Sequence, residues 1–208
     1  MFQKIFKYCK TYNLAMTWDI VREIKRKLFH ILILLIIVGY VIIEKNYNKQ
    51  IALIALVALL GLFLFAEYFR LEHGWRIPIF DHIIRAKERE HYYGVVYFLS
   101  ATIICLAVFD FKVALAALLM TTFGDMAAAL FGKKFGKVLV FKKKTLFGTL
   151  TELIVNVIVG FFILKNIYII LAMAFIATFV ETFISELDDN LLVPIFAGLT
   201  GQILSFLI

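Results

Sequence analysis

Proline and cysteine are almost missing from this chain, with two of each in 208 residues. Cys9 and Cys105 lie far apart, one in the N-terminal region and one inside an apolar run, so neither a disulfide framework nor a zinc ligand set is available. Charge is thin as well. Asp, Glu, Lys and Arg make up 18% of the chain, whereas an ordinary soluble domain carries about a quarter. A secretory leader pattern is also lacking, because basic and aromatic residues fill the first 27 positions before any long apolar stretch. No long-period repeat or low-complexity segment is apparent.

What the chain has instead is apolar surface: 63% of residues are hydrophobic and the mean hydropathy is +0.93. A soluble domain is roughly half apolar, so most of this chain must face lipid or other membrane helices. Crossing the hydrocarbon core takes about 20 apolar residues. Apolar runs fall at 28–43, 51–69, 95–109, 113–131, 148–164, 167–184 and 191–208. The expected fold is therefore an all-α polytopic membrane bundle of seven spans, with six as the nearest rival, since several runs are short. Residues 1–27, with Phe2, Ile5, Phe6, Leu14, Trp18 and Ile20 among lysines, read as an amphipathic membrane-surface helix preceding the transmembrane domain 28–208.

The net charge of +7 has a location. Segments 1–27, 70–90 and 132–147 hold 18 of the 22 Lys and Arg residues, and the alternate connections hold only Lys45, Lys49, Lys112 and Lys165. The positive-inside rule then places the N-terminus in the cytoplasm and the C-terminus outside, with cytoplasmic loops at 70–94, 132–147 and 185–190. Anionic headgroups and insertion account for this charge, so no nucleic-acid partner is called for.

Polar residues inside the apolar runs form patterns. Thr145, Thr149, Glu152 and Asn156 follow steps of four, three and four, and Thr178, Glu181, Ser185 and Asp188 follow steps of three, four and three. Each set is one stripe on one helix face. Glu67, Asp125, Glu152 and Glu181 lie in four different spans, each within one to two turns of the assigned cytoplasmic end, or about 5–10 Å. An ionised group in hydrocarbon costs about 2.5–3.5 kcal/mol on insertion scales, so four acids at one depth point to a shared polar cleft. Bland readings stand beside this one. Arg26 and His30 share a face and also fit ordinary basic flanking of the first span. Glu67 and Arg70, three apart, also fit a purely structural pair. The run Lys87 to Glu90 fits a solvated face.

The centre of the chain carries the chemistry. Gly124-Asp125 precedes a loop with Gly132, Lys133, Gly136, Lys137, Lys144, Thr145, Gly148 and Thr149. An acid able to hold a divalent metal beside a glycine- and lysine-rich loop suits a polyphosphate at a membrane surface.

The order of motifs resembles the CTP-dependent lipid-alcohol kinases (dolichol kinase, phytol kinase and the CTP-using diacylglycerol kinase), relatives of the membrane cytidylyltransferases. The resemblance rests on Arg26-Lys27-x-x-His30, Glu67-x-x-Arg70, Gly124-Asp125-x-x-Ala128, Gly132-Lys133-x-Phe135-Gly136-Lys137, Lys144-Thr145-x-x-Gly148-Thr149, Glu181 and Asp189-Asn190-x-x-Val193-Pro194. Phe147 departs from it, standing where such proteins often carry an acid. The resemblance implies transfer of the γ-phosphate of CTP to the hydroxyl of a polyprenol or dolichol, phytol, geranylgeraniol or diacylglycerol, giving a lipid monophosphate and CDP. It further implies Mg²⁺ on Asp125, with Asp189 second. Lys133, Lys137 and Lys144 would hold the phosphates, helped by Thr145, Thr149 and the amides near Gly132, Gly136 and Gly148. Arg26 and His30 would line the mouth. Glu181 would orient or deprotonate the acceptor hydroxyl, and Glu67, Arg70, Glu152 and Asn190 would support the cleft. Two alternatives remain open: a cytidylyltransferase, which needs the same metal and lysines, and an ion or proton transporter using the intramembrane acids. Transport sites sit near the midplane between repeated halves, unlike acids crowded at one end.

Overall fold

The computed structural model describes residues 34–73, 92–142, 144–184 and 186–208. The expected surface helix over 1–27, together with Arg26 and His30, lies outside the described residues, as does most of the connection after His73 and the residue Ser185.

Seven helices are described, and they follow the apolar runs closely. They are α1 (34–46), α2 (Lys49–His73), α3 (Gly94–Val108), α4 (Phe111–Phe135), α5 (Leu146–Ile163), α6 (Ile167–Phe183) and α7 (Asp189–Leu207). Polar caps start three of them. Thr145 Oγ1 accepts the Gly148 N–H, Asn166 accepts from Tyr168 and Asp188 accepts from Asn190, each satisfying a donor the first turn leaves orphaned. Four helices (α2, α4, α5 and α7) are long and apolar enough to cross a membrane, and α3 and α6 are shorter apolar helices. Large apolar side chains point outward along them, among them Phe162, Phe206 and Ile54. Water would not tolerate such a continuous surface, and lipid would.

Two expected boundaries move. Helix α4 runs to Phe135 rather than ending near 131, so Lys133 and Lys134 ride its last turn, where cations favour the helix dipole. The expected loop 132–147 is also not plain loop. Strands β1 (Leu139–Phe141) and β2 (Lys144–Thr145) pair antiparallel as a small hairpin, with Leu139 opposite Thr145 and Phe141 opposite Lys144. The otherwise all-helical chain thus gains a tight clip that fixes where Lys144 emerges.

Helix α4 is the centre of the bundle, with twelve buried residues against three on the equally long α2 at the edge. Small residues make this approach possible: Ala114, Ala116 and Ala117 on α4 and Ala174 and Ala177 on α6 are fully buried. Cross-helix contacts give the antiparallel order. Lys49 Nζ at the start of α2 donates to Ala107 O at the end of α3, and Asp110, just before α4, meets Gln202 near the end of α7. Gly132 near the end of α4 lies against Gly148 at the start of α5. The ends of α2, α4 and α6 and the starts of α3, α5 and α7 therefore share one end of the bundle. The described candidate residues lie toward that end, except that Asp125, expected within one to two turns of it, stands near the middle of α4 because the helix runs on to Phe135.

Candidate functional site

The two polar stripes anticipated on α5 and α6 face each other. Asn156 Nδ2 donates to Thr178 Oγ1 at 3.1 Å, and the hydroxyls of Thr149 and Thr182 are 3.3 Å apart. This antiparallel register sets Glu152 level with Glu181. Both are buried, at 1% and 3% exposure, yet neither sits in apolar surroundings alone.

Lys144 is the cation at this level. Its Nζ donates to Glu181 Oε1 at 2.7 Å, and the lysine side chain is 36% exposed while that of Glu181 is 1% exposed. The pair therefore straddles the boundary between the bundle interior and the outside. Burial alone would lower the Lys144 ammonium, but the attraction of Glu181, and then of Asp189 and Glu152, outweighs it and holds the pKa above the ordinary lysine value. Lys144 thus stays charged at neutral pH, with Glu181, Asp189 and Glu152 all within electrostatic reach. An ammonium fixed in this way is a point charge with further N–H donors, suited to a phosphate oxygen.

Asp188, Asp189 and Asn190 form the next wall. Asp188 Oδ1 accepts both the Asn190 backbone N–H at 3.0 Å and its side-chain Nδ2 at 2.8 Å. Asn190 is buried and Asp189 half-buried, and Asp189 Oδ1 also accepts the Asn190 N–H at 3.1 Å, so the turn is held from within. Tyr97, on α3, lies within electrostatic reach of Asp188. On the far flank Arg70 closes on Glu67, with Nη2 to Oε2 at 2.6 Å, and its guanidinium stacks 4.0 Å from the centroid of the Tyr93 ring. Glu67 is buried at 4% exposure, so this acid is neutralised on its own helix. Sequence spacing found that pair, whereas Tyr93, Tyr97 and Thr182 carried no signal that singled them out.

The remaining candidates have different surroundings. Asp125 is half-buried on α4, one residue beyond Gly124, against which the Asn156 side chain is packed. Lys133 and Lys137 are exposed on the last turn of α4 and just after it. The three glycines of the loop serve the backbone. A Cβ on Gly148 would lie 2.9 Å from Ala128 O and 3.2 Å from Gly132 Cα, so Gly132 and Gly148 let α4 and α5 cross in contact. The Gly136 N–H donates to Gly132 O and the Gly148 N–H to Thr145 Oγ1. Those two amides are therefore engaged within the chain. Thr145 is likewise occupied as the cap of α5.

Two atoms break the pattern of satisfied polar groups. Among the described residues, the buried side-chain oxygens without a hydrogen-bond partner are Glu152 Oε1 and Asn156 Oδ1. Buried orphan acceptors cost about 1–3 kcal/mol each, more when charged, so their retention asks for an explanation.

Among the described residues, no group of three or more His, Cys, Asp or Glu side chains forms a ready-made metal centre. The donors at the lysine-rich end are nevertheless hard carboxylate oxygens. A magnesium ion carried by a polyphosphate asks the protein for only one or two of these. Asp189 and Asp125 meet that requirement in kind.

Comparison of the chain with protein-family models, with curated proteins and with solved structures gives no match.

Proposed function

We propose that this chain is an integral membrane phosphotransferase that moves the γ-phosphate of CTP onto the hydroxyl of a lipid alcohol, releasing CDP. The observation that carries the reading is the Lys144–Glu181 pair, a cation held above its ordinary pKa at the mouth of a bundle whose exterior suits lipid. In this reading α1 to α7 are the seven spans and the lysine-rich end faces the cytoplasm, where CTP is found. The choice of CTP and of a lipid alcohol comes from the motif resemblance, on which Gly124-Asp125, Lys144-Thr145-x-x-Gly148-Thr149 and Asp189-Asn190 all bear.

Phosphoryl transfer needs charge neutralisation and placement more than covalent help from the protein. Lys144 binds an oxygen of the transferred group while Glu181 aims it. Lys133 and Lys137, exposed at the end of α4, draw the anionic tail of the nucleotide inward. Asp189, within reach of Lys144, and Asp125 would hold Mg²⁺, which when bound with the nucleotide neutralises phosphate charge. The buried Glu67–Arg70 pair holds the end of α2 against Tyr93 and so shapes the flank of the cleft. Arg26 and His30 keep their assigned place at the mouth by sequence alone.

The deciding experiment supplies purified protein with Mg²⁺, a panel of lipid alcohols and CTP labelled on either the γ- or the α-phosphorus. Label in the lipid from the γ position, with CDP released, is the expected result. Label from the α position, seen only with phosphorylated lipids, would make the protein a cytidylyltransferase. No label from either position would end the enzyme reading and return attention to ion transport.

A further inference from the structure

The phosphate side of the cleft has its cation, but the interior side has acceptors in surplus. Glu152 and Asn156 are one turn apart on the inner face of α5, each 1% exposed. Glu152 Oε1 and Asn156 Oδ1 both lack a donor, although Asn156 Nδ2 is satisfied by Thr178. Their surroundings supply no obvious remedy. Glu181 meets Glu152 carboxyl to carboxyl, and its own Oε1 is used by Lys144, which leaves Glu152 Oε1 over. Gly124, whose missing Cβ leaves room for the Asn156 side chain, completes the wall from α4. Two buried acceptors one turn apart on α5, one of them on the acid beside the Lys144–Glu181 pair, suit a ligand that donates a hydrogen bond. A polyphosphate does not qualify, since it offers only acceptors, and a hydroxyl does.

We propose that Glu152 Oε1 and Asn156 Oδ1 form the seat of the acceptor hydroxyl, with Glu152, rather than Glu181, as the group that takes its proton. This rests on the phosphotransferase reading and deepens it. The hydroxyl hydrogen points at Glu152 Oε1, Asn156 Oδ1 fixes the direction of approach, and the alkyl tail leaves between helices into lipid. As the hydroxyl oxygen bonds to the γ-phosphorus, its proton passes to Glu152. The bond from that phosphorus to the bridging oxygen breaks, and its electron pair leaves with CDP. Glu152 then returns the proton to water once the products have gone. Glu181 is a positioning residue, acting through Lys144.

The test uses full-length protein in detergent micelles and the variants Glu152→Gln and Asn156→Ala. A prenyl alcohol should raise the melting temperature of the wild type more than the hydrocarbon of the same length does, and both variants should lose that difference. In the transfer assay Glu152→Gln should lower kcat by about 10²–10⁴-fold, the span of a lost general base, with the KM for CTP unchanged. Glu152→Gln keeps the side-chain shape and lets an amide N–H face the neighbouring Glu181 carboxyl, so it should melt at or above the wild-type temperature. An alcohol that stabilises no better than its hydrocarbon would overturn the seat, as would a Glu152→Gln variant whose KM for CTP rises while kcat holds. A wild type that is stabilised by the alcohol yet transfers nothing from CTP would sink the phosphotransferase reading and leave the hydroxyl seat standing.

Discussion

The two ends of the bundle handle their polar groups in opposite ways. At the end that holds Asp110, Gln202 reaches across from α7, accepting the Asp110 N–H at 2.7 Å and donating to its carboxylate at 3.1 Å. Lys49 is used on Ala107 O, and Asn166 caps α6. Each of these side chains answers a backbone or side-chain group and has done its work once the helices are joined. At the lysine-rich end the acids exceed what joining requires. Thr145 and Asp188 cap helices here as Asn166 does at the other end, but Glu152 and Asn156 add buried oxygens with no partner. Polar residues that only join helices are satisfied by the fold, so these two oxygens ask for a separate explanation.

If that contrast is right, the largest effect comes from Lys144→Met. It strands the buried Glu181 carboxylate, and breaking a buried pair by removing one partner costs about 3–5 kcal/mol. With Lys144 36% exposed, the lower end of that range is expected. Thermal melts should show the loss, and adding Glu181→Gln to make the double variant should recover most of it. Transfer activity should stay absent in the double variant, separating the stabilising role of the pair from its chemical role.

A second comparison uses the glycine crossings. Ala at Gly148 would press its Cβ on Ala128 O and Gly132 Cα, backbone that cannot step aside, whereas Ala at Gly198 would press on the Phe109 ring. Overpacking of this kind costs about 1–3 kcal/mol in both places. Only Gly148→Ala shifts the cap at Thr145 and the adjacent Lys144, so only it should also raise the KM for CTP. Equal kinetic effects from the two variants would erase the distinction between the ends.

Gln202→Ala should lower stability by about 1–3 kcal/mol, the cost of orphaned buried partners, with kcat and KM unchanged. The smallest effect concerns pH. The Lys144 pKa is raised in the fold, so its contribution is complete below the ordinary lysine pKa and is lost only as pH rises through the higher folded value. Stability measured across the neutral range should therefore show no step from this residue. A step there that vanishes in Lys144→Met would contradict the assigned environment.

The helices were legible because apolar runs in a lipid-facing chain leave little choice. Ile167–Phe183 and Gly94–Val108 each fall within a residue of the runs 167–184 and 95–109. The stripes were legible too, since steps of three and four put Glu152 with Asn156 and Thr178 with Glu181 on single faces. Which stripe met which was not, because Lys144 and Glu181 are 37 residues apart and their meeting depends on the hairpin that turns β1 into β2. That hairpin was invisible for a physical reason: its lysines look the same in a loop as in a short strand. The glycines are ambiguous in another way. Spacing cannot tell a glycine that opens a backbone amide to phosphate from one that lets two helices touch, and the close approach of Gly132 to Gly148 shows only in the fold. Nor can sequence show an oxygen left without a donor, which is a property of what surrounds Asn156 on three helices.

The central claim is that chemistry resides at the lysine-rich end and not at the other. Its most direct test follows γ-labelled CTP into lipid alcohol with wild type, Lys144→Met and Gln202→Ala prepared in the same membranes. Labelled lipid phosphate from wild type and from Gln202→Ala, with none from Lys144→Met, is the predicted result. Undiminished transfer by Lys144→Met, or loss confined to Gln202→Ala, would contradict it.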